Sequence, residues 1–589
     1  MTAAGWKKIT AIKWIRFRIV VVGTILALCF GVIIGRGVQL QILSGPELCE
    51  RAEGQYKKAR HRTARRGTIY DRNLRDLAVS IDASSICAYP KLNYSAQETA
   101  LALSQALDVE QGLIFQRLTS GRRFVWVKRH VNPREASAVR NMALDGVDFR
   151  TESRRVYPQK ALAAQVIGFC GVDGKGLEGL EYYYDDLLRG RETSWTAIND
   201  AFGHWFTVGP GPIESRDGCN LILTIDKNIQ YIAEQALSHS VEKFSAKSGM
   251  AVVMVPSTGA ILAMAHVPRF NPNTFGLHEP WYWRNRAITD FFEPGSTFKI
   301  FLAGAALESG LCTPDAEFYC EKGAYRVGNN VIHDLHPYGT LSLRDILKYS
   351  SNIGAAKVGE RIGPKELHNR LKAFGFGDRT CVDWPYERPG ILKPVGSSSA
   401  MDALATCFGQ GVSVSALQLT TAVAAIANDG LLMKPYLIQE MTDRQGRLVK
   451  RVEPTIIRRV VSSETARTLT GMLERVVAKG GTGVQAALKG YRIAGKTGTA
   501  QKTDPNGQGY ATDKHTSAFV GFVPSGDPRI VILVVVDEPK GHYYGGVVAA
   551  PVFREIARET LQYLRIPPEL VTPEEKGSFT ASREEVPMG

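Results

Sequence analysis

The sequence shows no motif for metal or nucleotide chemistry. It has no H-E-x-x-H, no P-loop, and no phosphate-cradling G-x-G-x-x-G that opens a helix after a strand, which moves metal hydrolysis and nucleotide chemistry down the list of functions. Its nine cysteines (29, 49, 87, 170, 219, 312, 320, 381 and 407) form no C-x-x-C pair and no metal-type cluster. Cys312 and Cys320 are close enough in sequence for a local disulfide in an oxidising compartment, although unrelated buried thiols are the expected state. Long apolar runs are absent after residue 43, which excludes a multi-span membrane protein. With 44% hydrophobic and 22% charged residues, the chain is neither mostly disordered nor collagenous. It also lacks a basic face. The net charge is 72 − 58 = +14, but residues 1–72 carry 14 Lys/Arg against 4 Asp/Glu, which leaves only +4 for the other 517 residues. A nucleic-acid partner is therefore not expected; the charge reads as a topology signal.

What is present begins with one apolar run. Ile19–Ile34 holds sixteen residues without a charge. It reaches the ~20 residues needed to cross a bilayer when its flanks are included, with Arg18 and Arg36 snorkelling to the interfaces. Lys7, Lys8, Lys13, Arg16 and Arg18 precede it, which keeps the N-terminus in the cytoplasm by the positive-inside rule. A cleaved signal peptide has a similar apolar core, but no small-x-small site follows closely. The expectation is an uncleaved single-pass anchor at 19–38, a cytoplasmic N-terminus at 1–18, and everything beyond outside the cytoplasmic membrane.

At about 150 residues per domain, 589 residues allow two to four domains. Short β-like and helical segments run to about residue 215, with helical spacing in Ala96–Leu107. A second register starts at Asn220 with a strand and an apolar-striped helix over Lys227–Phe244. Gly249–His266 reads as a hairpin around Pro-Ser-Thr-Gly. Thr516–Ser525 and Arg529–Pro539 read as another strand pair, and Val547–Leu564 as a closing helix. Strands at both ends with helices between predict an α+β fold whose sheet joins strands far apart in sequence. The predicted division is a domain at 39–215, a catalytic domain at 216–565 and a disordered Pro/Glu-rich tail at 566–589.

Three short patterns carry chemistry. Ser296-x-x-Lys299 follows Pro294-Gly295 at the start of an apolar helix, which sets a hydroxyl one turn from an amine. A helix N-terminus and burial favour a serine nucleophile activated by a neutral lysine. Ser240-x-x-Lys243 matches the same pattern and is expected to be a solvated helix face. Ser350-x-Asn352 offers a hydroxyl to relay protons and an amide to hold a carbonyl, although alone such a pattern is more often a helix cap or loop. Lys496-Thr497-Gly498 with Thr499 follows a strand-like run. A strand edge there can take an extended peptide by β-augmentation, with Lys496 and Thr497 placed for a carboxylate and Gly498 allowing close backbone approach.

In that order, S-x-x-K, S-x-N and K-T-G resemble the signature of penicillin-binding proteins and serine β-lactamases. Arg65–Ala78 (RRGTIYDRN and LA), Tyr157–Glu181, Arg284–Lys299 and Phe408–Leu419 are similar to elements of class B penicillin-binding proteins. The chain to about residue 565 resembles their division-type, FtsI-like branch. Leu74 stands where that family usually has Gly, Gln165 where His is common, and Ser415-Ala416 where Thr-Pro is usual.

The resemblance implies a single transmembrane helix, an elongated α+β pedestal of the dimerisation type, and a transpeptidase domain with an antiparallel sheet flanked by helices. It implies a cofactor-free D,D-transpeptidase that cross-links peptidoglycan stem peptides in septal wall synthesis during cell division. Ser296 would attack the D-Ala–D-Ala carbonyl with Lys299 as base, and the Ser296 and Thr499 N–H groups would form the oxyanion hole. Ser350 and Lys496 would pass the proton, Asn352 would orient the substrate, and Thr497 and Thr499 would hold the carboxylate. β-Lactams would be covalent inhibitors, and an FtsW-type glycosyltransferase and other divisome membrane proteins would be partners. The alternatives are an elongation-type transpeptidase, or a D,D-carboxypeptidase or β-lactamase whose deacylating Glu would be sought among Glu360, Glu366, Glu387 and Glu440. From other classes come a β-lactam-sensing receptor, for which eighteen cytoplasmic residues are too few, and an inactive divisome scaffold. Placing arginine at Ile25 and Leu28 costs about 3 kcal/mol each at mid-membrane. The double variant is expected to leave the membrane fraction after an alkaline wash, and retention there through this helix overturns the anchor.

Overall fold

A computed structural model of the chain describes residues 3–62, 64–93, 95–191, 193–199, 205–207, 217–396, 399–504 and 509–569. The chain divides into two compact units, Met1–Ala64 with Arg191–Arg216, and Arg65–Gly190 with Asp217–Gly589.

In the first unit, one helix spans Ala3–Val38, and the stretch apolar enough to cross a membrane is Ile12–Leu43. Both run past the predicted 19–38, because lysine and arginine side chains do not break a helix whose apolar residues continue on either side. The unit also holds a three-stranded antiparallel sheet of Lys57–Arg62, Thr193–Asn199 and Trp205–Thr207.

The second unit is built on two sheets. One pairs Asp76–Ala88 with Val125–Val131 and Val147–Val156 and runs on through Ile69–Tyr70, Asn220–Leu223, Ile438–Thr442 and Leu448–Arg451. Its strands come from both sides of the predicted 215/216 boundary. The other is five-stranded and antiparallel: β1 (Ser248–Met254), β2 (Ile261–Val267), β3 (Ala494–Thr503), β4 (Tyr510–Val523) and β5 (Ile530–Asp537), in the order β2-β1-β5-β4-β3. The run IVILVVVD is apolar without alternation because β5 is central and covered on both faces. Val531, Leu533 and Val535 join the core that contains Phe298 and helix Ala416–Ala427, whereas Ile530, Ile532 and Val534 join the core under helices Lys227–Lys243 and Ala550–Tyr563. Helix Ala416–Ala427 is buried at every position; Thr420 and Thr421 satisfy their hydroxyls on the Ala416 and Leu417 carbonyls one turn back, which lets a mainly apolar helix sit wholly in the core. Its Ser415 makes a capping box with Gln418, so the Ser-Ala departure keeps the cap.

The elements 65–78 and 157–181 meet at a buried ion cluster. Glu181 is fully buried and is paired with Arg66 (2.6 Å) and Arg155 (2.6 Å), and Arg66 also pairs with Asp185 (2.5 Å). Burial alone would raise the Glu181 carboxyl; the two guanidiniums outweigh it and hold it below its ordinary value. Asp71, also buried, accepts the N–H groups of Asn73, Arg75 and Lys227, which ties this loop to the start of helix Lys227–Lys243. Leu74 turns that loop at φ +60°, the left-handed region where a glycine is the easier residue, and leaves its side chain exposed.

Ile566–Glu569, assigned by composition to the tail, are held. Tyr491 donates to the Ile566 carbonyl (2.6 Å), and the Arg492 and Gly526 N–H groups donate to Glu569. The rest of the predicted tail lies outside the described residues. Cys312 and Cys320 are both buried free thiols. Arg66→Met strips one cation from the buried Glu181 and is expected to destabilise the protein by about 3 kcal/mol or more. Thermal melts of purified protein check this, and an unchanged Tm would overturn the structural role given to the cluster.

Candidate active site

The nucleophile candidate sits on a 3-10 turn. Gly295–Phe298 form that turn, which runs straight into helix Lys299–Glu308. Three residues per turn bring Ser296 and Lys299 to one side. Gly295, at φ +52°, donates its N–H to the Gly409 carbonyl (3.1 Å), and a Cβ on Gly409 would lie 2.2 Å from the Gly295 oxygen. The Phe-Gly-Gln-Gly turn thus packs bare backbone against the nucleophile turn. Glu293 adds a strut, with Oε1 accepting from the Gly411 N–H (2.9 Å) and the Tyr510 hydroxyl (3.2 Å). On the other side of the helix, Phe298, Phe301 and Phe376 interlock with ring centroids 4.8 to 5.7 Å apart.

Lys299 and Lys496 are 1% and 0% exposed, and they converge on Ser350. Lys299 Nζ donates to the Ser350 carbonyl (2.6 Å), Asn352 Oδ1 (2.7 Å) and Ser350 Oγ (3.3 Å). Lys496 Nζ lies 2.9 Å from the same Oγ and 3.3 Å from both the Thr497 carbonyl and Thr497 Oγ1. Among the described contacts, Lys299 makes its hydrogen bonds to the Ser350–Asn352 segment and none to Ser296 Oγ; such bonds are often long before substrate binds. Ser350 holds its place at φ +63°, a left-handed conformation that costs a non-glycine residue about 1–2 kcal/mol. Burial pushes the Lys299 amine down to about 7, against an upward pull from Asp334. Burial also pushes Lys496 well below the ordinary lysine value, and the neighbouring Lys299 pushes it further.

Lys496–Thr499 lie on β3, which among the described residues is an edge strand with β4 as its ladder partner. A Cβ on Gly498 would lie 2.8 Å from Thr297 Cγ2 and 3.0 Å from the Pro294 carbonyl. The absent side chain therefore lets the edge strand approach the nucleophile turn. Thr497 Oγ1 pairs with Thr482 Oγ1 (3.0 Å), and Thr499 Oγ1 accepts from the Gly545 N–H (3.0 Å). The Thr499 carbonyl is close enough to Gly295 that a Cβ there would meet it at 2.8 Å. All eight residues singled out from sequence thus lie in one neighbourhood.

The second S-x-x-K does not join them. Ser240 is buried rather than on a solvated face, donating to the Val548 carbonyl (3.2 Å), because its helix packs under the sheet. The four glutamates considered for deacylation are engaged elsewhere: Glu360 with Tyr325, Glu366 with Arg370, Glu387 with Thr380 and Cys381, Glu440 with Arg451. Asp334 and Thr482 were missed, because each reaches the site only through tertiary folding and neither carries a local sequence signal.

Residues 249–558 match the family model for the penicillin binding protein transpeptidase domain, and residues 61–223 match that for the penicillin-binding protein dimerisation domain. The chain is 33% identical to the peptidoglycan D,D-transpeptidase FtsI of Escherichia coli K12, over 98% of this chain and 96% of that one. It is 34% identical to the probable peptidoglycan D,D-transpeptidase PenA of Neisseria meningitidis, over 92% of each. It is likewise 34% identical to stage V sporulation protein D of Bacillus subtilis, over 92% and 85%. A crystal structure of penicillin binding protein 3 from Mycobacterium tuberculosis, complexed with aztreonam, superposes with a TM-score of 0.69 at 29% identity, over 87% of this chain and 99% of that one.

Unfolding returns both amines to water, where a lysine holds its proton up to about 10.5, whereas folded Lys299 releases it above about 7. Between those values the unfolded chain binds more protons, so stability rises with pH. Lys299→Met is expected to lower that slope by about 1.4 kcal/mol per pH unit between pH 7.5 and 9.5. Urea unfolding at several pH values reads it, and an unchanged slope overturns the depressed amine.

Proposed function

This chain belongs to the class B penicillin-binding proteins, which are peptidoglycan D,D-transpeptidases, and we propose that it works through a serine acyl-enzyme on Ser296. The observation that carries this reading is one hydroxyl, Ser350 Oγ, set between two desolvated amines, of which Lys299 lies one turn from Ser296. In this mechanism Ser296 Oγ attacks the carbonyl of the D-Ala–D-Ala bond and gives its proton to the neutral Lys299 amine. The N–H groups of Ser296 and Thr499 stabilise the developing oxyanion; loss of one such donor costs about 3 kcal/mol in other enzymes. The tetrahedral intermediate collapses, the C–N bond breaks, and the departing D-Ala amine takes a proton by way of Ser350 and Lys496. Asn352 orients the peptide, and Thr497 and Thr499 hold its terminal carboxylate while Gly498 keeps β3 close. The amine of a second stem peptide then attacks the ester, forms the cross-link and frees Ser296. β-Lactams acylate the same hydroxyl and remain attached.

The helix Ala3–Val38 and the FtsI relative support one cellular setting for this activity. The catalytic unit works outside the cytoplasmic membrane at the division septum, with an FtsW-type glycosyltransferase and other divisome membrane proteins as partners. The lack of a free glutamate among the four weighed for deacylation favours transfer to an amine over hydrolysis.

Ser296→Ala is expected to abolish covalent labelling by a fluorescent penicillin and exchange of D-amino acids into stem peptide, with Tm within about 1 °C because a methyl group fits where the hydroxyl did. Labelling that persists in this variant overturns Ser296 as the nucleophile.

A further inference from the structure

Asp334 belongs to none of the three motifs. It comes one residue after strand Asn330–His333, in the excursion between the nucleophile helix and the S-x-N segment. Folding brings it to the start of helix Asn352–Ile362. Its Oδ1 accepts the N–H groups of Asn352 (2.5 Å) and Ile353 (3.1 Å), and its Oδ2 accepts the Ser351 hydroxyl (2.5 Å). The carbonyl of neighbouring His333 accepts from Asn352 Nδ2 (3.1 Å). Two consecutive residues therefore hold four donors of 351–353. Asn352 of that segment and Ser350 immediately before it supply the oxygens to which Lys299 donates, and Ser350 is held there in its strained conformation.

We propose that Asp334 is a positioning residue for acylation, fixing the Ser350–Asn352 segment against Lys299 and supplying a negative charge that acts on that buried lysine. This rests on the reading of Lys299 as the base. Lys496 faces Lys299 from β3. Cys320 and Tyr338 lie beside Asp334, each pushed up first by burial and additionally by the Asp334 charge. Lys357, further along the helix, is paired with Glu321. The Asp334 charge favours the ammonium form of Lys299. Removing it therefore makes the amine easier to deprotonate, and the acid limb of acylation moves to lower pH.

The test is the second-order acylation rate of the full-length protein with a fluorescent penicillin from pH 5 to 9. Wild type is expected to lose rate with a midpoint near 7. Asp334→Asn keeps the shape of the side chain and is expected to move that midpoint down by about one pH unit, with a plateau about tenfold lower. Ser351→Ala removes the hydrogen bond to Asp334 and the cap on the Gly354 N–H but no charge, so its plateau falls while its midpoint stays. Asp334→Ser, also uncharged, gives the same reading should the Asn variant not fold by circular dichroism. A midpoint unmoved in the uncharged variants reduces Asp334 to a helix cap and overturns the proposal, while the Lys299 reading stands. A wild type with no acid limb removes the Lys299 reading and the proposal with it.

Discussion

Two lysine amines occupy a place that water does not reach, and they share one serine hydroxyl. Burying a lone ammonium is among the costlier things a fold can do, and burying two side by side is costlier still. The chain meets this constraint by releasing protons: one amine is driven down by burial, and the other by burial and by its neighbour. Most of the local architecture serves that end. The 3-10 turn aligns Ser296 with Lys299, the left-handed Ser350 presents both its carbonyl and its hydroxyl, and the bare backbones of Gly409 and Gly498 allow the surrounding strands to close in.

The candidate site was legible because its patterns are local. A serine and a lysine three residues apart, or a lysine, a threonine and a glycine on a strand, leave short patterns. Elements with strong periodicity were equally plain: helix Ala96–Leu107 and the hairpin at Pro-Ser-Thr-Gly stand where their spacing puts them. Lys57–Arg62 is different. It is a strand made of basic residues with no apolar alternation, and it exists because Thr193–Asn199 pairs with it from more than a hundred residues away. Asp334 was invisible for the same reason, since nothing near it in sequence indicates the backbone N–H groups it receives. Gly498 carries a second role that its motif does not show: its bare backbone also lets the Pro294–Thr297 turn approach.

The departures from the family pattern find physical explanations of unequal strength. Ser415 still caps its helix, and Ala416 follows as an ordinary first helical residue. Gln165 is buried and donates to two carbonyls, those of Pro268 and Tyr282, so its amide has work that a solvent-facing residue would not. Leu74 alone keeps a left-handed backbone without the residue that makes it easy, on a loop anchored by Asp71 on either side of the turn.

The order of strands in the five-stranded sheet bears on how the protein can be made. β5 is central, yet it is the last strand the ribosome produces. The β1–β2 hairpin waits almost the length of the catalytic unit for it, and the β3–β4 hairpin that carries Lys496 meets β1 only through it. Until residue 537 is available, the growing chain holds two hairpins with apolar edges and no partner between them. The edge that carries Lys496 can therefore join β1 only once β5 is made, and a chain that stops short of Ile530 has all three motifs but not the strand that links the two hairpins.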